Sequence, residues 1–117
     1  MNDAWSAFLA QCEWARTFRL QVLLRFPPRG GDALGDVYGQ TKRCLEIIDA
    51  AIAEAGGSLQ NVTRTRVMLI DMTTWRQAAR AHGEYFGAIR PACTFDQVSR
   101  FIDPQWLVEI EADAIVA

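Results

Sequence analysis

The 117-residue sequence has no apolar run near the roughly 18 residues that cross a bilayer, which excludes a spanning helix. Its N-terminus, MNDAWSAFLAQCEW, lacks both the basic start and the small-residue cleavage site of a signal peptide. Cysteine is scarce and odd in number: Cys12, Cys44 and Cys93 form no CxxC pair, which argues against a disulfide framework or a structural zinc site. A reducing cytoplasm is the expected location. The single histidine, His82, has no Cys, Asp or Glu spaced with it as metal ligands, so no metal is expected. Proline and glycine cluster once, in PPRGGDALG (27–35), which reads as a loop inside one domain spanning 1–117. Basic residues are missing from the last seventeen positions, which carry Asp103, Glu109, Glu111 and Asp113. With a net charge of −2 and no basic patch interleaved with aromatics, neither nucleic acid nor an anionic membrane is expected as a partner.

What is present is strongly patterned. From 106 to 116 the side chains alternate: Trp106, Val108, Ile110, Ala112, Ala114 and Val116 share one face, and Leu107, Glu109, Glu111 and Asp113 the other. Period two over this length predicts a half-buried strand. Together with PACTFDQV (91–98) and the proline-containing loop between them, it reads as a terminal hairpin. Residues 13–26 predict one or two further strands, and residues 1–11 are weakly helical. Asp36 caps a long helix that Gly56-Gly57 ends, with Val37, Cys44, Leu45, Ile48, Ala51, Ile52 and Ala55 on its inner side.

The segment 62–70, VTRTRVMLI, predicts a strand with Arg64, Arg66, Met68 and Ile70 on one face. Its arginines either lie across from the C-terminal carboxylates or are solvated, and both readings stay open. Thr74-Trp75-Arg76-Gln77 has the form of a capping box opening a helix to about Phe86, with Trp75, Ala78, Ala79, His82 and Phe86 as the inner stripe. The order strand, helix, strand, helix, strand, strand predicts an α+β fold: a single mixed sheet with two helices packed on one face. The other sheet face is left bare, and self-association is the simplest cover for a domain of this size.

The helix DVYGQTKRCLEIIDAAIAE (36–54), the following AGGSLQNVTRTRVMLIDM, then AHGEYFG, RPA and LVEIEADAIV together resemble the RidA/YjgF family, over about residues 36–116. The resemblance implies a chorismate-mutase-like fold, a homotrimer, and clefts between subunits that bind small metabolites. It also implies cofactor-free hydrolysis of imines or enamines. In active members of that family an arginine follows Pro-Ala and clamps the substrate carboxylate; here Cys93 stands in its place. Glu109 matches the family glutamate that positions water, and is the expected catalytic residue. Cys93, Trp14, Ala79 and Arg100 fall at expected cleft positions, with Arg100 or Arg90 as the candidate replacement cation. A binding protein with deaminase-like hydrolysis of a substrate lacking a carboxylate is therefore expected; the alternative is a non-catalytic regulatory or binding module of the same fold. On the residues alone, Cys93 is more simply a small hydrophobe, His82 a core or interface residue, and Glu109 a solvated strand acid.

Overall fold

Asp36 stands where the first helix needs a cap, and in a computed structural model of the chain its carboxylate accepts from the Tyr38 N–H at 3.1 Å. The structure describes residues 17–23 and 36–116. The readings made for residues 1–11 and for Trp14 lie outside the described residues, as do the ends of the 13–26 stretch and the whole Pro/Gly-rich loop 27–35. Within them, β1 (Thr17–Leu23) precedes α1 (Val37–Glu54), β2 (Val62–Leu69), α2 (Trp75–Phe86), β3 (Ala92–Gln97) and β4 (Val108–Ile115). Helix α1 ends where expected: Gly56 has φ +91°, a conformation that glycine adopts without the Cβ clash other residues meet.

The four strands form one sheet in the order β1-β4-β2-β3, so it is mixed, as expected. β4 is antiparallel to both β1 and β2, while β3 runs parallel to β2. The expected terminal hairpin does not form, because β2 lies between β3 and β4. Burial explains the order. Val108, Ile110, Ala112 and Ala114 of β4 are buried, so this strand belongs in the middle of the sheet. β3 exposes Ala92, Cys93 and Thr94 and sits at the edge. Parallel pairing of β2 with β3 requires a crossover, and α2 supplies it. Loop 98–107 is then tied to the end of β2 by Val98 N–H to Leu69 O (2.8 Å) and Ile70 N–H to Leu107 O (3.3 Å).

Both helices cover the same sheet face. Cys44, Leu45, Ile48 and Ile52 of α1 and Ala78 and Phe86 of α2 pack with Val67, Leu69, Val108, Ile110 and Ala112 in one core. Each fully buried Leu or Ile contributes roughly 1.5–3 kcal/mol, so this face dominates stability. The capping box expected at Thr74 is absent. A 3₁₀ turn (Met72–Thr74) precedes the helix, and the Thr74 hydroxyl donates to Asp71 O at 2.6 Å instead. Asp71 takes over as cap, accepting from the Thr73 N–H at 3.0 Å. This hydrogen bonding to Thr73 holds the Asp71 carboxyl below its ordinary value. Trp75 also departs from the expected inner stripe: it lies outside the core, edge-on to Phe95 at 6.4 Å, and Ala81 is buried in the stripe.

On the opposite face the open question about the arginines resolves as pairing. In register, Arg64 faces Asp113 and Arg66 faces Glu111, at 3.9 and 4.0 Å, and Arg66 also bonds Asp96 at 2.6 Å. All these groups are partly exposed, so the ladder sets strand register more than it adds stability.

Candidate functional site

The residues with chemistry gather where β3 begins. Helix α2 continues turning past Phe86 until Arg90, whose N–H still donates to Phe86 O at 2.8 Å. Arg90 has φ +58°, and this left-handed residue directly before Pro91 turns the chain sharply into β3. Two residues later, Cys93 is exposed at the sheet edge and pairs in register with Thr65 of β2. Thr65 is fully buried, and its Oγ1 lies 2.8 Å from Nε2 of His82 on α2. His82 is buried in turn against Phe86, ring centroids 4.8 Å apart. Thr65 thus bonds to His82 behind it and has Cys93 as its register neighbour on the edge strand.

Burial shifts both titratable groups toward their neutral forms. Desolvation holds the Cys93 thiol above its ordinary value, offset in part by the Thr65 hydroxyl and then by Arg64. Burial alone pushes His82 below its ordinary 6.5, so the imidazole is neutral at pH 7. Stability linkage follows with a definite sign. The unfolded chain takes up a proton near pH 6.5 that the folded chain resists, so His82 contributes stability above about pH 6.5 that is lost as pH falls through and below that value. Urea midpoints at pH 7.5, 6.0 and 5.0 should fall more steeply for the wild type than for His82→Gln. Parallel midpoints would show that His82 is not protected from protonation.

The other expected residues lie elsewhere. Glu109 is buried on β4, opposite Met68 of β2 and Leu23 of β1 in register. Its parity along the strand places it on the ionic face, whereas Cys93 and Phe95 share the helix-covered face. The sheet therefore separates Glu109 from Cys93 within one chain. Ala79 is half-buried on α2, one turn before His82. Arg100 is exposed in loop 98–107, beyond the end of β3, while Arg90 is exposed three residues before Cys93. A separate cleft of about 170 Å³ lies past the end of β2, lined by Val37, Ile70, Asp71, Thr74, Gln77 and Leu107. Among the described residues, no group of three or more His, Cys, Asp and Glu is arranged to hold a metal ion, and no helix is long and apolar enough to cross a membrane. Thr65 was missed from sequence because only the parallel register of β2 and β3 brings it beside Cys93.

A mixed four-stranded sheet with two helices on one face defines a chorismate-mutase-like α+β protein. The pattern of the endoribonuclease L-PSP family matches residues 27–116, and the chain belongs to this family, the RidA/YjgF group. It is 39% identical over 88 residues to a RutC family protein of Pyrococcus abyssi, a stretch covering 75% of this chain and 68% of that one. It is 36% identical over 83 residues to the 3-aminoacrylate deaminase RutC of Acinetobacter baylyi, covering 71% of this chain and 65% of the relative. A crystal structure of a YjgF/YER057c/UK114 family member from Mycobacterium tuberculosis superposes with a TM-score of 0.70 at 34% identity, over 86% of this chain and 85% of that one.

Proposed function

We propose that this chain assembles as a homotrimer, binds a small metabolite in clefts between subunits, and there hydrolyses an imine or enamine that carries no carboxylate. The observation that carries the reading is Cys93, exposed at the start of β3 where the family resemblance puts the carboxylate-clamping arginine. A thiol offers one weak donor and no fixed positive charge, so it cannot grip a carboxylate through two parallel hydrogen bonds. Imines hydrolyse in water unaided, and a site need only orient substrate and water to accelerate them. Glu109 is the group that holds the attacking water and accepts its proton.

Because the sheet divides Cys93 from Glu109, a cleft containing both draws one from each of two neighbouring subunits. The ionic face of the sheet supplies the surface on which copies meet. The deaminase relative from Acinetobacter baylyi supports chemistry at a C–N bond. Light scattering should give three times the 13.1 kDa chain mass. In a coupled ammonia assay with freshly generated 2-iminoacids, the wild type should stay at background and Cys93→Arg should gain at least about tenfold, the least expected from a new charged bidentate contact. Wild-type turnover of 2-iminoacids well above background would sink the reading, as would a monomeric mass.

A further inference from the structure

Across the ionic face of the sheet the strands line up in rows. One row reads Leu23, Glu109, Met68 and Asp96, from β1 through β4 and β2 to β3, and the next reads Gln21, Glu111, Arg66 and Thr94. Arg66 belongs to the second row, but its Nε donates to Asp96 of the first at 2.6 Å, while its Nη1 lies 4.0 Å from Glu111. The guanidinium therefore leans toward the row of Met68, whose neighbour on β4 is Glu109. We propose that Arg66 is a positioning residue for Glu109: its charge favours the ionised carboxylate that takes the proton of the attacking water, and Asp96 on the edge strand sets how much of that charge Glu109 feels. The use in hydrolysis rests on the reading above, whereas the coupling between the two charges does not.

A cation near a carboxylate favours its charged form, and a further carboxylate on the same cation weakens that effect. Arg66 is held above its ordinary value first by the Asp96 hydrogen bond, and the charges of Asp96, Glu111 and Glu109 add to it against some desolvation. Three carboxylates from β3 and β4 thus share one guanidinium, and Asp96 holds the short contact. The remaining charges on this face lie farther along the strands. Arg64 of β2 pairs with Asp113 at 3.9 Å, and Arg19 of β1 stands opposite Asp113 in register. That row is one step farther from Glu109 than the row of Arg66. Through the sheet, the Cys44 thiol of α1 is neutral, pushed up to about 12 by burial and then by Glu109. The variable that tunes Glu109 from β2 and β3 is therefore the Asp96–Arg66 pair.

The test follows the Glu109 side-chain carboxyl by carbon NMR from about pH 3 to 8 in the full chain labelled at glutamate, with Glu109→Gln identifying its signal. Arg66→Met should raise the midpoint of the Glu109 titration by at least about half a pH unit, because the cation is gone and Asp96 and Glu111 remain. Arg66→Lys keeps the charge and should stay within about 0.3 unit of the wild type. Asp96→Asn should move the midpoint the other way, downward, because it frees the guanidinium from its strongest competitor. A pair that served strand register alone would leave every midpoint where it was. Equal midpoints in the wild type and Arg66→Met overturn the proposal. Should that variant not fold, a midpoint in Asp96→Asn at or above the wild-type value overturns it as well. Because the titration needs no substrate, silence in the ammonia assay sinks only the reading of imine hydrolysis, and immobile midpoints sink only the coupling.

Discussion

A Phe86→Ala protein is expected to lose about 3–5 kcal/mol of unfolding free energy, the range for deleting a large aromatic from a closed core. Phe86 is among the largest fully buried side chains and packs where α2 meets the sheet. Small domains have only about 5–15 kcal/mol in all, so the loss takes a large part of the total. Its second effect is local. The Phe86 ring is the surface against which His82 lies, at 4.8 Å between centroids, so the cavity removes the support that orients Nε2 toward Thr65. Urea unfolding measures the first effect, and amide exchange at 80–84 the second. Phe86→Leu, which keeps most of the volume, should cost under about 1.5 kcal/mol. A loss below about 1 kcal/mol for the alanine variant would mean that the site collapses and refills, against the packing described.

Gln40→Ala should be nearly as costly, about 2–4 kcal/mol, through a different mechanism. Gln40 is fully buried in the second turn of α1, and its carboxamide serves two backbone groups at once. Nε2 donates to Gln105 O at 3.1 Å, and Oε1 accepts from the Leu107 N–H at 2.7 Å. These bonds hold the chain just before β4 and so fix where Val108 and Glu109 enter the sheet. Alanine leaves both backbone groups unpartnered in a partly buried place, at roughly 1–3 kcal/mol each. Gln40→Glu separates the two roles: it keeps an acceptor for Leu107 but loses the donor to Gln105, and it should fall between wild type and alanine. If Gln40→Ala melted with the wild type, water would be replacing the carboxamide and the loop would not depend on it.

Much of the scaffold was legible because its signals are local. Asp36 as a cap, Gly56 as a stop and the apolar spacing of Leu45, Ile48 and Ile52 are determined within a few residues along the chain. The alternation through Val108, Ile110, Ala112 and Ala114 likewise needs no partner to be read. Thr74 shows where local reading fails. Thr-x-x-Gln satisfies the capping-box pattern, but Asp71 three residues earlier caps a 3₁₀ turn that leads into the helix, so α2 begins at Trp75 as expected while the Thr74 hydroxyl bonds back to Asp71 O instead of closing the box. Gln40 escaped notice because a glutamine on the apolar side of a helix looks like a break in the pattern. Its two backbone partners lie 65 and 67 residues away.

By itself the sequence determined the element order, the sheet-and-two-helix class and the presence of a thiol after Pro91-Ala92, since each depends on short-range periodicity or on residue identity. Only the tertiary structure decided that β2 enters between β3 and β4, and everything at the site follows from that insertion. It places Thr65 beside Cys93, sends Arg66 to Asp96 and Glu111, and puts Glu109 on the face away from the thiol. Strand order is a global choice, made by which strand buries the most apolar surface and which helix can bridge a parallel pair. No window of ten residues contains that comparison.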